Sequence, residues 1–135
     1  MILIDSSVWL SANRLLNDVT DAVDPYDAAV CGPIVYEVLR GASSKRYAAL
    51  QDLLYSAHLI DDPMPTERYD HAALIYRTLR AQGVTIRSPF DCVIAAVALS
   101  HDVPLLHVDR DFDEIAVVFP LRSHNLLRGV KALPS

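Results

Sequence analysis

Cysteine is scarce in this chain: of 135 residues only two, Cys31 and Cys92, are cysteine. Both sit in apolar surroundings without metal-ligand spacing, which marks them as reduced core thiols rather than cross-links or zinc ligands. No such staple is needed, because a chain of this length buries roughly two-thirds of its unfolded surface. Four glycines and eight prolines are scattered, which excludes a collagen-like repeat or a linker. The longest nearly uncharged apolar run, CVIAAVAL at 92–99, falls far short of the ~20 residues a membrane span requires. The opening MILID lacks a basic segment and reaches a carboxylate at Asp5, so no secretory leader is expected. Bases are not in surplus either. Twelve Lys and Arg against seventeen Asp and Glu give a net charge of −5, which counts against a broad, non-specific nucleic-acid binder. A nuclease stays open, since acids can gather in a metal site while bases line its rim. The expectation is one cytoplasmic domain over residues 1–135, with no membrane partner.

What is present is globular: 52% hydrophobic and 21% charged residues, with no repeat or charge block. Met1–Ile4, Ala28–Cys31, Leu59-Ile60 and Val103–Val108 are short apolar runs suited to buried strands. Ser6 or Ser7 can cap a helix carrying Trp9 and Leu10. Pro33–Arg40 reads as a helix stopped by Gly41, and Arg46–Ser56 as another. Thr66 can cap a helix to Gln82, with Tyr69, Ala72, Ala73, Tyr76 and Leu79 on one stripe and Gly83 at its end. Pro89 opens a helix to about Ser100, and Phe112–Ala116 begins a short one. Continuously apolar strands alternating with helices predict an α/β domain with a parallel sheet. Ligands of such sheets bind beyond the carboxyl ends of the strands, where Asp5 and Asp109 fall.

Four acids interrupt apolar contexts: Asp5 after MILI, Glu37 in PIVYEVL, Asp91 in SPFDCVIAAVAL and Asp109 in PLLHVDRDF. Each has a plain explanation. Asp5 could cap the next helix, Glu37 could pair with Arg40, Asp91 could favour a helix dipole, and Asp109 and Asp111 could form turns. Together they are harder to dismiss. Carboxylates in nearly buried places are costly unless paired or bound to a cation, and no Lys or Arg lies between residues 1 and 13. Carboxylates converging on one sheet edge suit a hard divalent cation, Mg²⁺ or Mn²⁺.

The segments MILIDSSVWL, PIVYEVLRG, IRSPFDCVIAAVAL and LLHVDRDFDEIA resemble, in order, the motifs of PIN-domain nucleases, most closely the VapC-type toxins of toxin–antitoxin pairs. The resemblance implies a three-layer α/β/α fold with a short parallel sheet and a Mg²⁺- or Mn²⁺-dependent endoribonuclease centre. It makes Asp5 and Asp91 the principal metal ligands, completed by Glu37 and Asp109. Ser7 stands where the family often has a hydroxyl supporting the first acid. It also implies an RNA substrate, a cognate antitoxin and a homodimer. One departure stands out: the family often has Thr or Ser two residues before the fourth acid, whereas this chain has His107. Asp111 is therefore an alternate to Asp109 at the metal.

Phosphodiester hydrolysis at such a centre needs no nucleophilic side chain. The five histidines are scattered and supply no triad; His58, His101 and His124 read as surface or helix-end residues, and His107 as a hydrogen-bonded core or site-edge residue. Arg40, Arg77, Arg80, Arg87 and Arg110 could meet phosphates or simply be solvated. Tyr36 and Trp9 could stack bases, although both read first as core residues. A haloacid-dehalogenase-type phosphatase would need an acid two residues after Asp5, where Ser7 stands. A receiver domain would need adjacent acids after the first strand and a late Lys. The remaining alternative is a non-catalytic PIN-like RNA- or protein-binding module, against which the presence of all four acids counts.

Overall fold

The computed structural model describes residues 1–11 and 13–128. Five strands form one wholly parallel sheet: β1 Ile2–Ile4, β2 Ala28–Val30, β3 His58–Leu59, β4 Leu105–His107 and β5 Ser123–Asn125. Their order across the sheet is β3-β2-β1-β4-β5. Helices fill the connections: α1 Ser6–Trp9, α2 Asn13–Ala22, α3 Gly32–Gly41, α4 Tyr47–Ser56, α5 Thr66–Ala81, α6 Asp91–His101 and α7 Arg110–Val118. The chain first builds outward from β1 to β2 and β3, then returns to place β4 and β5 on the other side of β1. Right-handed crossovers in opposite directions put their helices on opposite faces. Accordingly α1–α4 pack among themselves, as do α5–α7, giving three α/β/α layers. The chain reverses between β1 and β4, and a crevice for ligands opens at such a switch point.

The parallel sheet demands apolar residues on both faces, and β1 and β4 supply them without a break: Ile2, Leu3, Ile4, Leu105 and Leu106 are all buried. Residues 91–98 of α6 are buried on every side, so its small residues Ala95, Ala96 and Ala98 let neighbouring elements approach closely. Gly83 ends α5 with φ +84°, the left-handed conformation that glycine adopts without penalty.

Several expectations are corrected here. Neither Ser6 nor Ser7 caps α1; Asp5 does, its side chain accepting the Ser7 N–H. Helix α5 begins at Thr66 with Pro65 in the cap position, and α6 begins at Asp91, two residues after Pro89. The buried stripe of α5 is Ala72, Ile75 and Leu79, while Tyr69, Ala73 and Tyr76 face solvent. Tyrosines at helical spacing imitate a core stripe because their rings are apolar, yet their hydroxyls favour the surface. His124 belongs to β5 rather than a helix end. Helix α2 and strand β5 are not among the expected elements: α2 is amphipathic but mostly polar, burying Leu16 and Val19, and the β5 sequence is Ser-His-Asn.

This packing separates neighbouring positions on α5. Ile75→Ala should lower unfolding free energy by about 2–5 kcal/mol, whereas Tyr76→Ala should change it by less than about 1 kcal/mol. Urea denaturation of both variants checks the assignment; equal losses would contradict it.

Candidate functional site

At the switch point Asp91, Asp109 and Asp111 come together, while Asp5 and Glu37 stand outside that close group but near enough for their charges to act on it. Asp5 follows β1 and is 3% exposed. Its Oδ2 accepts hydrogen bonds from the Ser7 N–H at 3.0 Å and the Ser7 hydroxyl at 2.6 Å. Its Oδ1 is buried and has no hydrogen-bond partner among the described residues. Ser7 Oγ also accepts from the Val108 N–H at 3.1 Å, so one hydroxyl ties the end of β1 to the segment after β4. Asp91, the first residue of α6, is likewise 3% exposed, and its Oδ2 is a second buried oxygen without a partner. Glu37 approaches from α3, half-buried, and its Oε1 accepts from the Ser6 hydroxyl at 3.2 Å.

Asp109 caps α7 through Oδ1, which accepts from the Asp111 N–H at 3.0 Å. Carboxylate oxygens of Asp91, Asp109 and Asp111 lie within 4.8 Å of one another. The two candidates for the fourth position thus stand side by side. Asp109 is the one whose charge acts on Asp5, Glu37 and Asp91 together. Asp111 is buried, and one of its oxygens already accepts from the Arg87 N–H at 3.1 Å.

Electrostatics records the strain of this gathering. Burial, then the charges of Asp109 and Asp5, push the Asp91 carboxyl up to about 9. Burial also raises Asp5 despite the bonds from Ser7 that oppose it, and burial followed by the Asp5 charge raises Glu37. Among the described residues no Lys or Arg forms an ion pair with Asp5, Glu37, Asp91 or Asp109. Two orphaned, buried carboxylate oxygens in an all-oxygen donor set fit a hard divalent cation, which replaces the lost hydration.

The other singled-out residues divide cleanly. His107 is fully buried, its Nδ1 accepting from the Asp109 N–H and its Nε2 bonded to Ser123; burial lowers its pKa. It is a hydrogen-bonded residue behind the acids. His58 bonds the Tyr26 carbonyl, and His101 pairs with Asp61. Trp9 is core, donating to the Ile4 carbonyl. Tyr36, by contrast, is exposed beside Phe90, with the Arg40 guanidinium 5.8 Å from its ring centroid. Arg77, Arg80, Arg87 and Arg110 are exposed. Cys31 and Cys92 are buried and unpaired, and burial pushes their thiols up to about 12 and about 11, which makes them inert. Sequence reasoning missed Ser6 and the Arg87 amide. The tandem hydroxyls after Asp5 could have indicated Ser6; a backbone N–H leaves no trace in sequence.

Comparison with known proteins agrees with this architecture. Residues 2–118 match the model of the PIN domain family. Ribonuclease VapC11 of Mycobacterium tuberculosis is 34% identical over 133 residues, covering 91% of this chain and 97% of that protein. Ribonuclease VapC17 of the same species is 33% identical over 111 residues, covering 79% of this chain and 82% of the relative. The chain belongs to the PIN domain family, in the group of the VapC ribonucleases. Among solved structures, a chain of VapBC2 from Rickettsia felis, bound to a DNA fragment of its promoter, superposes with TM-score 0.69 at 20% identity, covering 93% of this chain and 98% of that one. A chain of VapBC-1 from nontypeable Haemophilus influenzae gives TM-score 0.68 at 20% identity, covering 94% and 99%.

A carboxyl raised in the folded state stabilises the fold fully below its ordinary value, 3.8 for Asp91, and loses that contribution as pH rises through about 9. In EDTA the melting temperature of the protein should therefore fall across that window. Asp91→Asn should flatten the fall and melt higher at pH 8, by about 4 °C or more. Added Mn²⁺ should narrow or reverse the order, because the variant has lost a ligand. Thermal melts with and without the ion measure both effects. Equal destabilisation in both conditions would reduce Asp91 to a structural helix residue.

Proposed function

We propose that this chain is the toxin of a toxin–antitoxin pair, an endoribonuclease dependent on Mg²⁺ or Mn²⁺. The observation that carries the reading is the pair of buried oxygens, Asp5 Oδ1 and Asp91 Oδ2, that have no hydrogen-bond partner among the described residues. They lie in a crevice where no described Lys or Arg forms an ion pair with the acids. In this reading Asp5 and Asp91 hold the ion, Asp109 completes the set with Asp111 as alternate, and Ser7 fixes the rotamer of Asp5. When bound, the ion supplies a water of lowered pKa and neutralises charge on the phosphate. Glu37 is half-buried, with a raised pKa, which suits it to take a proton from the attacking water. The exposed Arg40 and Arg110 stand near the acids in sequence and can orient phosphates without reading bases. The similarity to VapC11 and VapC17 supports RNA as the substrate.

The antitoxin follows from the likeness to VapBC assemblies. Helices α3 and α4 expose Tyr36, Tyr47, Leu53 and Tyr55, an apolar surface suited to an amphipathic segment, and the acidic crevice would attract a basic side chain from it. A homodimer and a cytoplasmic location complete the proposal. Among the described residues no helix is long and apolar enough to cross a membrane.

Asp5→Asn and Asp91→Asn should each reduce cleavage of single-stranded RNA by more than the ~10–100-fold typical of losing a group that merely orients a ligand. Circular dichroism should stay native in both, and excess EDTA should abolish wild-type cleavage. Cleavage that survives both substitutions, or EDTA, would overturn the assignment. Co-expression with the product of the neighbouring reading frame should give a stable complex that no longer cleaves; a chain that always purifies alone, and is harmless when expressed by itself, contradicts the toxin reading.

A further inference from the structure

His107 stands where the resemblance leads one to expect a hydroxyl residue, and the structure gives it a different set of bonds. Nδ1 accepts the Asp109 N–H at 3.1 Å, so this nitrogen carries no proton and Nε2 is the donor. Nε2 bonds Ser123 Oγ. The Ser123 hydroxyl donates to Asp113 Oδ1 at 3.4 Å, and Asn125 Nδ2 donates to Asp113 Oδ2 at 2.9 Å. The ring lies 5.0 Å from the Phe112 ring and is wholly buried. Two successive backbone amides after β4 are thus held by side chains: Val108 N–H by Ser7 from the β1 side, Asp109 N–H by His107 from the β5 side.

We propose that His107 is a positioning residue for the acidic centre: through Nδ1 it fixes the Asp109 backbone, and so aims that carboxylate at Asp91 and Asp111. Strand β5 and helix α7 become part of the same support, because Ser123, Asp113 and Asn125 hold the ring in one tautomer and one orientation. Both nitrogens of a buried ring need partners, and here one of those partners is the amide of the residue that carries the Asp109 carboxylate. The inference rests on the metal-centre reading, and the test separates the two.

Asn and Gln divide the two functions of the ring. In His107→Asn the amide oxygen falls near the place of Nδ1 and can still accept the Asp109 N–H, while the link to Ser123 is lost. In His107→Gln the amide falls near Nε2 and keeps Ser123, while Asp109 is released. Mn²⁺ titration followed by electron paramagnetic resonance, beside thermal melts in EDTA, is the measurement. Asn should bind Mn²⁺ within about twofold of the wild type, and Gln about tenfold or more weakly, the range seen when a ligand loses its orienting partner. The melts should not follow that order. If the wild type binds and the two variants have equal affinities, the inference is overturned and the metal reading stands. A wild type that binds no Mn²⁺ overturns both. Should the variants fail to fold, amide hydrogen exchange of the wild type decides: Asp109 N–H should be as protected as β4, and free exchange there would overturn the proposal.

Discussion

Everything near the switch point answers to one constraint: carboxylates are held largely out of water, close together, and among the described residues none of them has a Lys or Arg in an ion pair. Each charge penalises the next, and desolvation penalises them all. The surrounding fold works against this repulsion. Ser7 bonds Asp5, Ser6 bonds Glu37, and backbone amides bond Asp109 and Asp111. These bonds leave one oxygen of Asp5 and one of Asp91 without a partner. A fold selected for stability alone would not keep two such groups, so the strain is retained for what the oxygens bind.

The sheet explains how so small a domain can hold this arrangement. No strand exceeds three residues, so the acids at the ends of β1 and β4 stand only a residue or two from fully buried positions. Helix α6 carries Asp91 into the same place on a backbone buried from its first residue through Ala98. Regular elements thus bring in all four acids, Glu37 among them on α3. Such a scaffold fixes a site better than loops of equal length would, because its side chains are locked by packing.

Much of this was legible in the sequence because burial leaves a strong trace. MILID and LLHVD announce strands that end in acids, and an acid at the head of DCVIAAVAL is conspicuous because nothing around it is polar. What sequence did not reveal follows from weaker physics. Tyr69 and Tyr76 share the spacing of a core stripe but face solvent, since an aromatic ring with a hydroxyl suits either side. Strand β5 is made of Ser, His and Asn; it is an edge strand, defined by its pairing with β4 and its bonds to α7 rather than by hydropathy. Asp109 and Asp111 stand in the same cluster, each accepting one backbone N–H, from Asp111 and Arg87 respectively, and composition and spacing encode neither bond.

The register Leu3↔Leu105 joins strands about a hundred residues apart in the chain. Contacts of such long sequence separation form late, because the entropy of closing the loop must be met before the contacts return anything. During synthesis Asp5 is made first, and its neighbours at 91 and 109 follow only 86 and 104 residues later. No fragment that stops before Asp109 can therefore hold the whole acidic centre, and a growing chain lacks it until that residue has been made. For a protein whose proposed substrate surrounds it from the start, that delay leaves time for a partner to be made first.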